Sequence, residues 1–299
     1  MNTARIQSGA EENPKHKPFR QPEVDESIDI ASTVPFVAMH VAGVCALFFD
    51  FNMTMFWLVL ASYYIRMFGI TAGYHRYFSH RSYKTSRVFQ FFLAFLAQTS
   101  AQKGALWWAA HHRHHHKYSD SNHDIHSPLK RGFWWSQVGW ILCNRYLDTN
   151  WKYIGDFAKY PELRWLNRFY LIPPLAYAIA IFTIWGWAGL FWGFFFSTML
   201  LYHGTFSINT LTHMFGRVRY KSNDGSRNSM ILALITCGEG WHNNHHYYQA
   251  TANQGWFWWE IDFTYYILRF LGLFGIVWGF RSPPKHIKDN TIRFQAKRL

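Results

Sequence analysis

An all-α integral membrane protein is the fold class this sequence predicts, with four transmembrane helices in two hairpins and a helical cap on the cytoplasmic side. Three observations predict it. Residues 169–216 are 48 consecutive positions without one Asp, Glu, Lys or Arg. Two further uncharged runs, 31–49 and 51–65, stand near the N-terminus. The short turns that would join each pair of runs carry no Lys or Arg. Aromatic residues reach 20 % and charged residues only 16 %, against roughly 25 % charged in soluble domains. The mean hydropathy of −0.16 is low because polar ends and a basic middle dilute the apolar runs.

Each element follows in order. Residues 1–28 are polar, include Lys15, Lys17 and Arg20, and lack the apolar core of a cleavable signal; they read as a loose tail. A first span covers about 31–49. Asp50 and Asn52 mark a tight turn, and a second span covers about 53–74, continuing past Arg66 through residues 67–72. The charge-free stretch from Phe169 is twice the roughly 20 apolar residues that cross a bilayer. It therefore holds two spans, about 169–186 and 190–213, turning at Gly186-Trp187-Ala188-Gly189. Segments 75–168 and 214–285 form the cap, so the membrane domain is 29–285, followed by a basic tail, 286–299. The alternative, buried core helices of a soluble protein, has to keep 48 uncharged residues in solution.

Charge sets the orientation. Net charge is +13, concentrated in the tails and the middle segment, which is the positive-inside pattern with both termini and the cap cytoplasmic. A multi-pass integral membrane location is expected. No nucleic-acid recognition motif accompanies the charge; the basic face is expected to meet headgroups, an acidic electron donor or a phosphate-bearing acyl carrier. Cys45, Cys143 and Cys237 have no paired spacing, which fits a reducing compartment.

Histidine carries the chemistry. Dense clusters occur at His75 and His80, at His111-His112-Arg113-His114-His115-His116, and at His242-Asn243-Asn244-His245-His246, with His213 ending the fourth span. Because an even number of spans separates them, all face one side of the membrane. Residues at i, i+3 and i+4 share a helix face, so His242, His245 and His246 are expected to aim at one point. In the second cluster His112, His115 and His116 satisfy that spacing, and so do His111, His114 and His115. Asn209 and His213 are also i, i+4 partners. Four-coordinate zinc needs only three or four such ligands, so eight or nine converging imidazoles imply two metal ions. Haem would leave the clusters unused, and no HExxH points to a zinc protease.

These motifs, with Gly69-Ile70-Thr71-Ala72-Gly73 before the first and Gly238-Glu239-Gly240-Trp241 before the third, resemble the three histidine boxes of membrane fatty-acid desaturases, the acyl-CoA delta-9 (stearoyl-CoA) type in its bacterial form. The resemblance covers roughly residues 30–285. It implies two iron ions held by His75, His80, His112, His115, His116, His213, His242, His245 and His246, with Asn209 linked through water. It places His111 and His114 outside the ligand set, with His123 and His126, near Asp120 and Asp124, as supporting residues. His16, His40, His203 and His286 read as non-ligands. It implies O2-dependent desaturation of a long-chain saturated acyl group on CoA. Electrons come from a separate ferredoxin-like or cytochrome b5-like donor, since the chain has no room for a fused redox domain. The neighbourhoods Gln102-Lys103-Gly104 and Trp108-Ala109-Ala110 depart from the acyl-CoA members, so acyl-ACP and acyl-lipid are alternative carriers. The blind end of the acyl tunnel maps to about Val59 and Tyr63, and residues 88–97 read as an interfacial helix. A sister di-iron hydroxylase or decarboxylase, and a non-enzymatic metal or haem carrier, are the rival readings.

Overall fold

The computed structural model describes residues 25–292. Most of the expected N-terminal tail, with His16, and the last seven residues lie outside them. The described residues are predominantly helical. Three helical stretches are long and apolar enough to cross a membrane: Ile30–Phe48, Met53–Ser79 and Ile172–Met214.

The first stretch is α1 (Ile30–Cys45) and a short tighter turn. The Asp29 carboxylate caps it, accepting from the Ser32 amide at 2.7 Å. Val34, Val37, Val41 and Val44 repeat at helical spacing and are all exposed, an apolar stripe that no other described residue covers. Asn52 starts α2 (Met53–Phe68) by accepting from the Met55 amide at 3.0 Å. Beyond Phe68 the same helix continues through Gly69–Ser79 with wider, π-type turns; the His80 amide reaches back five residues to the His75 carbonyl. The helix thus runs past the 74 expected from sequence and carries the first histidine box with it. Gly69 and Gly73 let α3 (Arg87–Gln98) approach closely. A Cβ at either would lie 3.0 Å from the α3 backbone, at Ala97 N and Leu93 O. On α3, Leu93, Ala94 and Ala97 are buried while Val88 and Phe92 are exposed, as an interfacial helix would have them.

α4 (Ala105–Tyr118) carries the second box. Its first amides find their acceptor in another element: Asn167 Oδ1, on α5 (Pro161–Arg168), accepts from Leu106 and Trp107 at 3.0 and 2.9 Å. The long third stretch consists of α6 (Ile172–Gly189), a wide-turn segment Leu190–Phe196, and α7 (Ser197–Met214). It breaks at Gly186 (φ 63°, ψ −156°), a conformation open to glycine and strained for other residues. The rings of Tyr177 and Phe194 are 6.1 Å apart. A straight helix would separate those residues by about 26 Å, so the chain doubles back at Gly186. Arg66, fully buried on α2, ties these helices together. It donates to Ser197 Oγ and Thr198 Oγ1, both at 2.6 Å, and stacks over Tyr177. Such a guanidinium is tolerable in an apolar layer because its donors are satisfied.

The third box occupies a short helix, α8 (His242–Tyr247), followed by α9 (Phe263–Leu273). Strands β1 (Lys84–Thr85) and β2 (Val277–Trp278) pair antiparallel, tying the chain after the first box to the segment after α9.

Candidate metal centre

α2 with its extension, α4, α7 and α8 bring their histidines to one place. The imidazoles fall into two adjoining groups. His75, His80, His112, His116 and His245 form one, and His115, His213, His242 and His246 the other. Asn209 lines a small cavity of about 20 Å³ beside both, with His75, His112 and His242.

The expectation that the three histidines of one box aim at a single point is corrected here. Successive residues turn by about 100°, so i and i+4 lie about 40° apart and i+3 lies about 60° to the other side. His112 and His116 accordingly enter the first group while His115 enters the second. On α8 the pattern is exchanged: His242 and His246 enter the second group and His245 the first. Each group thus takes an i, i+4 pair from one helix and the i+3 residue of the other. His111 turns away and its Nδ1 donates to the Trp107 carbonyl at 2.8 Å. His114 stacks on Tyr153 with ring centroids 5.3 Å apart.

In the five-histidine group the Nε2 atoms run at 3.1 Å (His80 to His112), 2.9 Å (His112 to His116), 3.0 Å (His116 to His245) and 3.0 Å (His245 to His75). A ring N–H donates only one bond, yet His112, His116 and His245 each appear twice in this series. Lone pairs converging on a common point account for the spacing; a hydrogen-bonded chain does not. Nitrogens about 2.1 Å from an ion and at right angles to each other stand about 3.0 Å apart, whereas tetrahedral ligands stand about 3.4 Å apart. The group therefore fits an ion of five or six coordination better than a tetrahedral zinc. In the other group, His115 Nε2 and His246 Nε2 are buried without a partner, and His213 Nε2 lies 3.1 Å from His242 Nε2.

Carboxylates stand behind the rings. His115 Nδ1 meets Asp124 at 3.0 Å, His213 Nδ1 meets Asp120 at 2.7 Å, His246 Nδ1 meets Asp224 at 2.6 Å, and His75 Nδ1 lies 2.5 Å from Glu239. Each holds a proton on Nδ1 and leaves the Nε2 lone pair facing inward, as metal-ligating histidines require. Burial alone would raise these acids, but the opposed imidazoles outweigh it. Asp120 falls to about 2, and Asp124 and Asp224 fall below the usual carboxylate range. Burial, reinforced by neighbouring imidazoles, pushes His80, His112, His116, His242 and His245 well below the usual histidine range. They are neutral at pH 7, which is the form that binds metal. Arg76 closes this layer: it contacts Glu239 at 3.0 Å and Asp262 at 2.9 Å, both buried.

His126 is buried against His115, with ring centroids 4.3 Å apart, and His123 is exposed. His40 and His203 bond to each other at 3.1 Å and lie in neither group; His286 sits in the short helix Lys285–Asp289. Sequence reasoning missed Asp224, whose Asn-Asp-Gly setting signals only a turn, and gave Glu239 no role although it stands in the motif before the third box.

A cavity of about 280 Å³ leads to the metal groups. Exposed Ala31, Pro35 and Leu171 stand at its mouth, and Trp108, His112 and Asn209 stand at its reactive end. Phe36, Met39 and Tyr202 line it from α1 and α7. Val59 and Tyr63, expected at the tunnel end, are absent from its walls. Val59 packs with Met55, Leu58 and Ile181, while the Tyr63 hydroxyl donates to the Ile235 carbonyl at 3.1 Å. The cavity is lined instead from α1, α4 and α7.

The family model for fatty acid desaturases matches residues 51–271. The chain is 34 % identical over 232 residues to the sn-2 palmitoyl-lipid 9-desaturase of Nostoc sp., covering 76 % of this chain and 81 % of that protein. It is 37 % identical over 223 residues to the sn-1 stearoyl-lipid 9-desaturase of Synechocystis sp., covering 74 % and 70 %. It is 33 % identical over 273 residues to the acyl-CoA 5-desaturase AL21 of Anemone leveillei, covering 90 % and 84 %.

Proposed function

This chain belongs to the fatty acid desaturase family, and from that premise we propose that it inserts a double bond into a long-chain saturated fatty acyl group, using O2 and two iron ions. The observation that carries the reading is the division of nine imidazoles into interlocked groups of five and four, with carboxylates behind four of the rings. His75, His80, His112, His116 and His245 would hold one ion. His115, His213, His242 and His246 would hold the other, with Asn209 contributing through water. Iron held there supplies the O2 chemistry that breaking an unactivated methylene C–H bond demands, which no side-chain base achieves. The chain's own residues do the rest. The cavity walls position the acyl chain, Trp108 stacks on His112 at 4.9 Å, burial keeps most of the imidazoles neutral, and the buried carboxylates aim the rings they touch.

The proposed setting is four spans in two hairpins, with both termini and the metal centre cytoplasmic. The breaks at Asn52 and Gly186 and the lack of Lys or Arg in both turns support it.

For the carrier, the curated relatives act on acyl-lipids in some cases and acyl-CoA in others, and the mouth of the cavity favours a lipid. Its lining holds a single Lys or Arg, Lys103, whose ammonium donates to Ser32 Oγ at 3.2 Å and which Asp29 and Asp148 offset. Among the described residues a CoA group with several phosphates finds no basic cluster there, whereas an acyl chain already in the bilayer enters between α1 and α6. Position 9 is the proposed site of the double bond, as in the two acyl-lipid relatives.

The deciding experiment supplies iron-loaded protein in nanodiscs with reductant and either stearoyl glycerolipid or stearoyl-CoA, and analyses the products. An oleoyl product from the lipid supports the full reading. Oleoyl product from CoA alone overturns the carrier, and an oxygenated product overturns desaturation.

A further inference from the structure

The two metal groups differ in their access to solvent. All four histidines of the second are buried, whereas His80 and His116 of the first are only partly buried. The residues that follow them are both basic and both exposed: Arg81 after His80 and Lys117 after His116. One turn joins the two sites. Arg81 reaches Asp156 at 3.4 Å, Arg113 reaches Asp156 at 2.8 Å and the Tyr153 carbonyl at 2.8 Å, and the Lys117 ammonium lies 5.9 Å from the Tyr153 ring. Lys152 and Lys159 are exposed on the same turn. Asp156 is the one acid among these named residues, and two guanidiniums occupy it, so five cations gather there against one carboxylate.

Electron balance gives this patch a purpose. Reducing one O2 to two waters takes four electrons; the two hydrogens leaving the acyl chain supply two of them. Two more electrons and two protons come from outside, and no side chain here can supply them. Transfer between proteins falls steeply with distance, so the donor has to sit where ligand imidazoles reach the surface.

We propose that the surface formed by His80, Arg81, Arg113, Lys117 and the turn 152–159 is the docking site for an acidic one-electron carrier protein. The inference rests on the desaturase reading for its purpose but not for its test. Complementary charge orients the carrier and raises its on-rate, and salt weakens both. Partly exposed Tyr118 and His114, beside Lys117, offer flat rings at the rim.

The test uses the full chain in nanodiscs and a plant-type [2Fe–2S] ferredoxin of low isoelectric point, with cytochrome c as a basic control. Binding is measured by biolayer interferometry at low and at physiological ionic strength, together with iron content and turnover driven by a small chemical reductant. The double variant R81E/K117E is expected to raise Kd for ferredoxin by on the order of tenfold or more at low salt, and by less as salt rises. Iron content and chemically driven turnover stay near wild type, R81Q/K117Q falls between, and Lys130→Glu, outside the patch, changes nothing. Wild-type protein that fails to bind ferredoxin, binds it without salt dependence, or loses affinity equally through Lys130→Glu overturns the proposal. Should R81E/K117E fold poorly, the milder R81Q/K117Q pair decides the same question: a raised Kd supports the patch and an unchanged Kd overturns it. Ferredoxin bound through this patch with no unsaturated product would sink the desaturase reading and leave the docking site standing.

Discussion

The unequal division of the histidines makes a sharp prediction about metal retention. His246 belongs to the group of four and His80 to the group of five. Apparent affinities of about 10–16 kcal/mol for a four-ligand structural metal give about 3 kcal/mol per ligand, or roughly a hundredfold or more in affinity. His246→Ala leaves three imidazoles and abolishes the contact that Asp224 directs at 2.6 Å. His80→Ala leaves four imidazoles, and the truncated ligand is one that already touches solvent, so water can replace it. After dialysis against a chelator, His246→Ala is expected to hold about one iron per chain and His80→Ala about two. Elemental analysis of the purified proteins measures this, and Mössbauer spectra distinguish the surviving site. Equal losses in both variants, or two irons retained by His246→Ala, would refute the division of ligands.

Four further outcomes follow from the same geometry. His115→Ala and His245→Ala are expected to eliminate desaturation while His114→Ala keeps substantial activity, because His114 stacks on Tyr153 outside both groups; equal damage from all three means that the α4 register is wrong. Asp224→Asn should weaken iron binding about 10- to 100-fold with the fold unchanged, read by chelator competition, and unchanged affinity would remove the carboxylate from its assigned role. Tyr63→Ala should lower thermal stability, by about 3–5 kcal/mol for an aromatic lost from a packed site, without altering the chain-length profile. Met39→Phe should instead shift products towards shorter chains, since Met39 lines the cavity and each displaced methylene is worth about 0.8 kcal/mol. Competing C14, C16 and C18 substrates separate these two positions, and a shift seen only with Tyr63→Ala returns the tunnel end to α2.

Much of this fold was legible because membrane constraints act on composition. A helix that must satisfy its backbone internally in an apolar layer leaves a long uncharged run, and residues 169–216 could hardly have been read otherwise. Gly186 was legible as a turn for the same reason: a doubled run must reverse somewhere, and glycine admits the required φ. The π-type continuation through Gly69–Ser79 was not, since no residue in that segment demands five-residue turns. Within it α3 packs closely at Gly69 and Gly73, a tertiary contact that the segment's own sequence does not announce. Val59 and Tyr63 do not line the cavity, and spacing could not have said whether they would. Facing the same way on α2 does not fix what lies opposite: Val59 packs with Met55, Leu58 and Ile181, and the Tyr63 hydroxyl donates to the Ile235 carbonyl.

The histidines mark the limit of spacing as a guide. Periodicity identified His112, His115 and His116 as one of two possible sets, and it supplied the angles that part His115 from its companions. It could not supply the second helix. A single helix with ligands at i, i+3 and i+4 can turn all three towards one ion only by straining rotamers across an arc of about 100°. Two such helices, facing each other, remove the strain by exchanging their i+3 residues, so each arc is divided between two ions. The dense HHxHHH run of α4 and the HNNHH run of α8 therefore explain one another: either alone over-supplies one site and under-supplies two. Asp224 meets the same limit from the opposite direction. It is 22 positions from His246 in sequence, carries no motif, and becomes part of the site only because the chain between α7 and α8 folds back onto the ring it orients.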